Sequence, residues 1–158
     1  PEAAREKSRN GITPLHCICG KGASLESLSM VLNAWPEAAR EKSRNGITPL
    51  HCICGNERAS LEMLSMVLKV YPEAAREKDE ESYTPLHRIC GNKSASLEML
   101  SMVLKAYPEA AREKDRESCT PLHRICENGR ASLEMLSVVL NAWPEAAREK
   151  DEESYTPL

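Results

Sequence analysis

Phenylalanine is absent, and aromatic residues make up only 4% of the 158-residue chain. One bulky globular core is hard to build without large rings. The 41% of apolar residues suit a thin layer of Leu, Val, Met and Ala side chains instead. No stretch approaches the ~18 consecutive uncharged apolar residues of a membrane helix, and no charged-then-apolar leader is seen, so membrane insertion is not expected. A basic excess is lacking too. The formal net charge is −3, and Lys and Arg are spread over the whole chain, which leaves no electrostatic footprint for nucleic acid. An even cysteine count is also missing: the seven cysteines follow the internal repeat rather than a disulfide framework. Free thiols and an intracellular, reducing compartment, most simply the cytoplasm, are expected. Neither G-x-S-x-G, a glycine-rich phosphate loop nor H-E-x-x-H occurs, so no enzymatic activity, cofactor or metal is expected.

What the chain does have is a period. Pro-Glu-Ala-Ala-Arg-Glu-Lys begins at Pro1, Pro36, Pro72, Pro108 and Pro144, at spacings of 35, 36, 36 and 36 residues. The first 20 residues of the first two units are identical, and the third and fourth units differ at 8 of 36 positions. Units of this length bury their apolar faces by stacking on their neighbours. The chain is therefore read as one tandem-repeat domain over 1–158, with units 1–35, 36–71, 72–107 and 108–143 and a partial unit 144–158.

Within a unit, Thr48-Pro49 starts a short first helix, with threonine as the cap and proline at the first helical position. Leu50, Ile53 and Cys54 share its buried face, and Gly55 ends it. Ser60 caps a second helix, Glu62 favours its dipole, and Leu61, Leu64, Val67, Leu68 and Tyr71 form a stripe at helical spacing. Pro72 ends it. Pro72 to Lys78 reads as a single helical turn with charges matched to its dipole, and Asn10-Gly11 and Asn45-Gly46 read as tight turns. In later units Glu81-Ser82, Glu117-Ser118 and Glu153-Ser154 stand there.

Thr13-Pro14-Leu15-His16 and its copies at 48–51, 84–87 and 120–123, with the truncated 156–158, resemble the T-P-L-H-x-A signature of ankyrin repeats. The resemblance runs the whole length of the chain. It implies an all-α, or mainly α, helix-turn-helix solenoid that binds protein partners on its concave face. Tetratricopeptide repeats, of similar length, lack support because their W-x-x-L-G-x-x-Y pattern is missing. The chain departs from the ankyrin pattern in three ways, the first being units about three residues longer than the ~33-residue norm. Ile18, Ile53, Ile89 and Ile125 replace the usual alanine and should push the helices apart, and Pro-Glu-Ala-Ala replaces the segment leading into the family's β-hairpin finger. The resemblance also implies that His16, His51, His87 and His123 brace the turn of an adjoining unit rather than act as bases.

The cysteine pairs Cys17/Cys19 and Cys52/Cys54 do not make a metal clamp, because residues two apart on a helix point ~200° apart. The cysteine ladder, one per stacked unit, exceeds the ~7 Å Cα reach of a disulfide. The charges of Pro-Glu-Ala-Ala-Arg-Glu-Lys read as a solvated face. Positions that change between units are better candidates, and the resemblance places them on the concave face. They are Arg44, Asn45, Ile47 and Cys52, then Glu80, Glu81, Tyr83 and Arg88, then Arg116, Glu117 and Arg124; the link 56–58 and its copies also vary. Arginine appears at 88 and 124 where the tips turn acidic, so these guanidinium groups are expected beside tip carboxylates, in exposed pairs worth ~0–1 kcal/mol each. The expected function is a protein-binding scaffold; the alternative is a structural array acting as a spacer or assembling with copies of itself. Its Leu25, Leu28 and Leu32 match internal positions without polar capping, so the chain is expected to be a window of a longer array and to self-associate when isolated.

Overall fold

The computed structural model describes residues 5–158, so the first Pro-Glu-Ala-Ala, at 1–4, lies outside the described residues. Among the described residues the chain is all-helical, with no strand. Four units each contribute a short and a longer helix: α1 (Pro14–Lys21) and α2 (Leu25–Ala34), α3 (Pro49–Gly55) and α4 (Leu61–Val70), α5 (Pro85–Gly91) and α6 (Leu97–Ala106), α7 (Pro121–Glu127) and α8 (Leu133–Ala142). A 3-10 turn follows each pair, at Pro36–Arg40, Pro72–Arg76, Pro108–Arg112 and Pro144–Arg148. Helix pairs contact one another in series: α1, α3, α5 and α7 form one row, and α2, α4, α6 and α8 a second.

Each first helix begins with proline at N1 after a threonine cap. In α1, α3 and α5 the threonine Oγ1 accepts the backbone N–H of the histidine three residues on, and that histidine's Nδ1 accepts the threonine N–H in return. This reciprocal box satisfies donors that a two-turn helix cannot satisfy internally. Ser60 and Ser96 cap α4 and α6 by accepting the N–H of Met63 and Met99.

The core is one layer shared between units. Leu50, Ile53, Cys54, Leu64 and Val67 are fully buried, as are their counterparts Leu86, Ile89, Cys90, Leu100 and Val103. Each such side chain contributes ~1.5–3 kcal/mol of transfer free energy. The second-helix stripe is buried at Leu64, Val67 and Leu68 as its spacing predicts, but it differs at its start. Met63, Met99 and Met135 are buried, whereas Leu61 is half-buried and Leu133 is 78% exposed. A leucine at the first helical position starts above the layer, and the residue two further on turns into it.

The Pro-Glu-Ala-Ala-Arg-Glu-Lys charges are more than a solvated face, because they stitch units together. Lys7, Lys42, Lys78 and Lys114 pair with Glu41, Glu77, Glu113 and Glu149 of the following unit. The guanidinium groups of Arg40 and Arg76 lie over the rings of Tyr71 and Tyr107, at 5.1 and 5.3 Å. Ion pairs this exposed add only ~0–1 kcal/mol each, so they set register more than stability.

The tips between units are turns, and each is joined to the next by a backbone hydrogen bond: Arg44 N–H to Asn10 O, Glu80 N–H to Asn45 O, Arg116 N–H to Glu81 O and Glu152 N–H to Glu117 O. Gly11 and Gly46 take positive φ (+73° and +72°), while the asparagines before them do not. Ser82, Ser118 and Ser154 adopt the same left-handed conformation at φ 62°, 61° and 69°. A side chain there costs ~1–2 kcal/mol. Replacing Ser82 and Ser118 with glycine is therefore expected to raise stability by ~0.5–1 kcal/mol each, the unfolded-state entropy of glycine offsetting part of the gain. Urea melts check this, and an unchanged or lowered midpoint would mean that the turn carries no strain.

Candidate partner-binding face

The residues that vary between units gather where the tips meet the N-terminal halves of the first helices. At the turn, the first residue sets the geometry. Ser43 Oγ accepts the Ile47 N–H at 3.2 Å. In the next unit Asp79 Oδ1 accepts both the Glu81 and Tyr83 N–H groups at 3.0 and 2.9 Å, and in the following one Asp115 Oδ1 accepts those of Glu117 and Cys119 at 2.9 and 3.0 Å. These aspartates are not exposed tip charges: Asp79 and Asp115 are buried, at 8% and 6% exposure.

Their second oxygens meet the arginines of the same unit. Arg88 Nη2 lies 2.5 Å from Asp79 Oδ2. Arg124 Nη2 and Nε lie 2.6 and 3.0 Å from Asp115 Oδ2, and Nη2 also lies 2.5 Å from Glu117 Oε2. Glu127 Oε2 accepts from Arg124 Nη1 at 3.3 Å. The arginines thus lie beside the tip carboxylates, as their joint appearance with acidic tips predicts. The pairs are not the exposed ones expected, because the aspartate sits inside the turn. Burial works against the Arg124 charge, but the Glu117 and Asp115 carboxylates override it and raise its pKa.

Tyr83 stands between the two arginines. Their guanidinium carbons lie 5.0 and 5.1 Å from its ring centre, and the His87 ring meets it edge-on at 5.6 Å. An open groove of ≈ 430 Å³ runs from this cluster toward the C-terminal ends of the first helices, past Lys93 and Glu57.

The other candidates are placed separately. Arg116 spans to Glu81 of the preceding tip at 3.3 Å. Arg44, Asn45 and Glu80 are exposed on the tips, where the Asn45 carbonyl and the Glu80 N–H join one another. Ile47 and Cys52 are half-buried at the positions that Tyr83 and Arg88 hold one unit later. Asp79 and Asp115 are among the acidic tip residues that the sequence places beside the arginines, though not among its partner-binding candidates, and Glu127 is not singled out by it. The sequence reading also counted Asn56, Asn92 and Asn128 with a variable link. Their Nδ2 groups instead donate to the carbonyls of Cys19, Cys54 and Cys90 in the preceding unit, at 2.8, 2.9 and 2.9 Å. Their constancy within an otherwise changing link was the available signal.

The histidines have both ring nitrogens engaged. In each, Nδ1 accepts the threonine N–H (3.1–3.3 Å), so Nε2 carries the hydrogen and donates to a carbonyl of the next unit: Ile47, Tyr83, Cys119 and Tyr155, at 2.9, 2.9, 3.2 and 3.3 Å. Burial lowers the pKa of His16 and His51 and takes that of His87 to about 4. The seven cysteines are free thiols. Burial drives the Cys54 and Cys90 thiols up, which keeps them protonated and unreactive. Asp115, Glu117 and Cys119 bring ligand-type atoms within 4.8 Å of one another, but both carboxylates are turned to Arg124. No helix among the described residues is long and apolar enough to cross a membrane. In comparison with known proteins, the chain matches no family model and no curated protein.

Proposed function

We propose that this chain is an ankyrin-type repeat solenoid that binds a protein partner on its concave face, the face built from the tips and the first helices, and that it carries out no chemistry of its own. The observation that carries the reading is where the units differ. Core leucines and isoleucines repeat without change, while Ser43, Ile47 and Cys52 become Asp79, Tyr83 and Arg88 and then Asp115, Cys119 and Arg124. Tyrosine and arginine are the residues that most often anchor protein interfaces, and here they stand together beside an open groove. Stability alone does not require this change, since the second unit folds alike without it.

The test is capture from the native source with matched variants. Proteins retained by the unmodified chain should be lost when Asp79→Ser, Tyr83→Ile and Arg88→Cys are combined, and kept when Lys69→Ala and Lys105→Ala alter the second-helix face. Loss with the second set alone would place binding on the opposite face and overturn the proposal.

The structural-array reading has one observation in its favour: the Lys–Glu pairing recurs through four successive steps, as a uniform spacer requires. Light scattering that shows mass rising with concentration, together with capture indifferent to the first-helix face, would favour it.

A further inference from the structure

The Tyr83 groove carries two cations of different standing. Arg124 is committed, with its donors taken by Asp115, Glu117 and Glu127 and its side chain 15% exposed. Arg88 is not. One Nη meets Asp79, its Nε is buried without a partner, and the side chain keeps 36% exposure. Lys93, further along the groove, is exposed and forms no ion pair among the described residues. The groove therefore offers donors of positive charge next to an aromatic ring, although Glu57 and the Arg124-paired Glu127 line it as well. The rim around it is the reverse: Glu80, Glu81 and Glu117 are exposed on the tips.

We propose that the groove takes an aspartate or glutamate side chain from an extended segment of a protein partner, with Arg88 and Lys93 as its anchors and the Tyr83 ring, which the guanidinium groups cover, as an apolar wall beside them. The assignment rests on the partner-binding reading above and names the chemistry of that partner. A carboxylate fits because a guanidinium with free N–H groups binds it by charge-assisted hydrogen bonds, strengthened where the ring excludes water. A polyanion does not fit. A nucleic-acid backbone would bring a line of phosphates against the acidic tips in a chain of net charge −3. A single acid with neutral or basic flanks satisfies both the groove and the rim.

The chain supplies its own control. Asp79→Ser, Tyr83→Ile and Arg88→Cys, made together in a Ser82→Gly background so that the turn also matches Gly46, write the second unit's residues into the third, and the second unit forms the same helices and turn with them. Fold loss is thus separated from site loss, and helical circular dichroism verifies it. The experiment selects short random peptides on the unmodified chain and measures the survivors by fluorescence polarisation. Enriched peptides should share an acidic residue. Replacing that residue with its amide should weaken binding by about tenfold or more, and the triple variant should do the same. Lowering the salt should tighten binding. Peptides that bind without an acid, and equally well to the triple variant, would overturn the groove assignment while leaving the concave-face reading in place. Peptides lost only with Lys69→Ala and Lys105→Ala, or no enrichment at all, would count against both. Binding of a single-stranded oligouridylate that the triple variant abolishes would replace the acidic segment with nucleic acid and overturn the proposal.

Discussion

Acidifying the protein is expected to unfold it in the range where histidine, not carboxylate, titrates. His87 is 1% exposed, and burial takes its pKa from 6.5 to about 4, against the smaller raising effects of the Asp115 charge and the Cys119 carbonyl. Its Nδ1 accepts the Thr84 N–H at 3.2 Å, so a proton added there would face a donor and break the capping box. A folded pKa below the unfolded one means that the unfolded chain binds more protons within the window. Stability is thus fully present above pH 6.5 and is lost as the pH falls to about 4. The loss from this one group is about 3 kcal/mol. His16 and His51 are shifted in the same direction by the same burial and add to it. Against a domain stability of ~5–15 kcal/mol, the ladder is enough to decide whether the fold survives. Urea melts at steps across this range should show the midpoint falling steadily. His87→Gln should lower stability at neutral pH and flatten the slope, because the titrating group is gone. A slope unchanged by that substitution would place the acid response elsewhere.

The helical part of this architecture is legible in the sequence for a physical reason: its signals are local. Thr-Pro before Leu-x-x-Ile-Cys, and Ser-Leu-Glu before an apolar stripe, state cap, start and buried face within a few residues, and the observed helices begin at those prolines and leucines. What was not legible depends on contacts across units. Nothing local says that Met63 rather than Leu61 enters the layer, because that depends on how the neighbouring pair is rotated against it. The serine at 82 reads as a weak turn former. It takes positive φ because Asp79 accepts two N–H groups of the turn and holds it closed. The covariation of acidic tips with Arg88 and Arg124 was readable as proximity. The burial of the aspartates was not, since it arises from those same turn hydrogen bonds. Tyr83 was picked out as variable, but its position between arginines of two successive units exists only in the stack.

Removing Arg124 alone should cost far more than removing it together with its partner. The Asp115 side chain is 0% exposed and that of Arg124 15%. In Arg124→Cys the Oδ1 oxygen keeps the Glu117 and Cys119 N–H groups, but Oδ2 loses both guanidinium bonds inside a closed turn. Breaking a fully buried pair costs ~3–5 kcal/mol, and the water that the partly open arginine site admits reduces this to about 2–3 kcal/mol. Adding Asp115→Ser removes the stranded charge. A serine at this place holds the turn of the second unit, where Ser43 Oγ accepts the Ile47 N–H, Cys52 stands in the arginine's position and Gly46 replaces Ser118, so the whole cycle is made in a Ser118→Gly background. The double variant is therefore expected to recover most of the loss, with a coupling of about 2 kcal/mol between the two sites. The same cycle on Asp79 and Arg88 should give a smaller coupling, because Arg88 is 36% exposed and makes a single contact with its aspartate. Denaturant melts of the four variants in each cycle measure both numbers. Additive costs at Asp115 and Arg124 would show that water solvates the aspartate as well as the arginine does, and would leave recognition as the reason for the pair. Strong coupling there with weak coupling at Asp79 and Arg88 would mark Arg124 as the fixed wall of the groove and Arg88 as the side free to engage a partner.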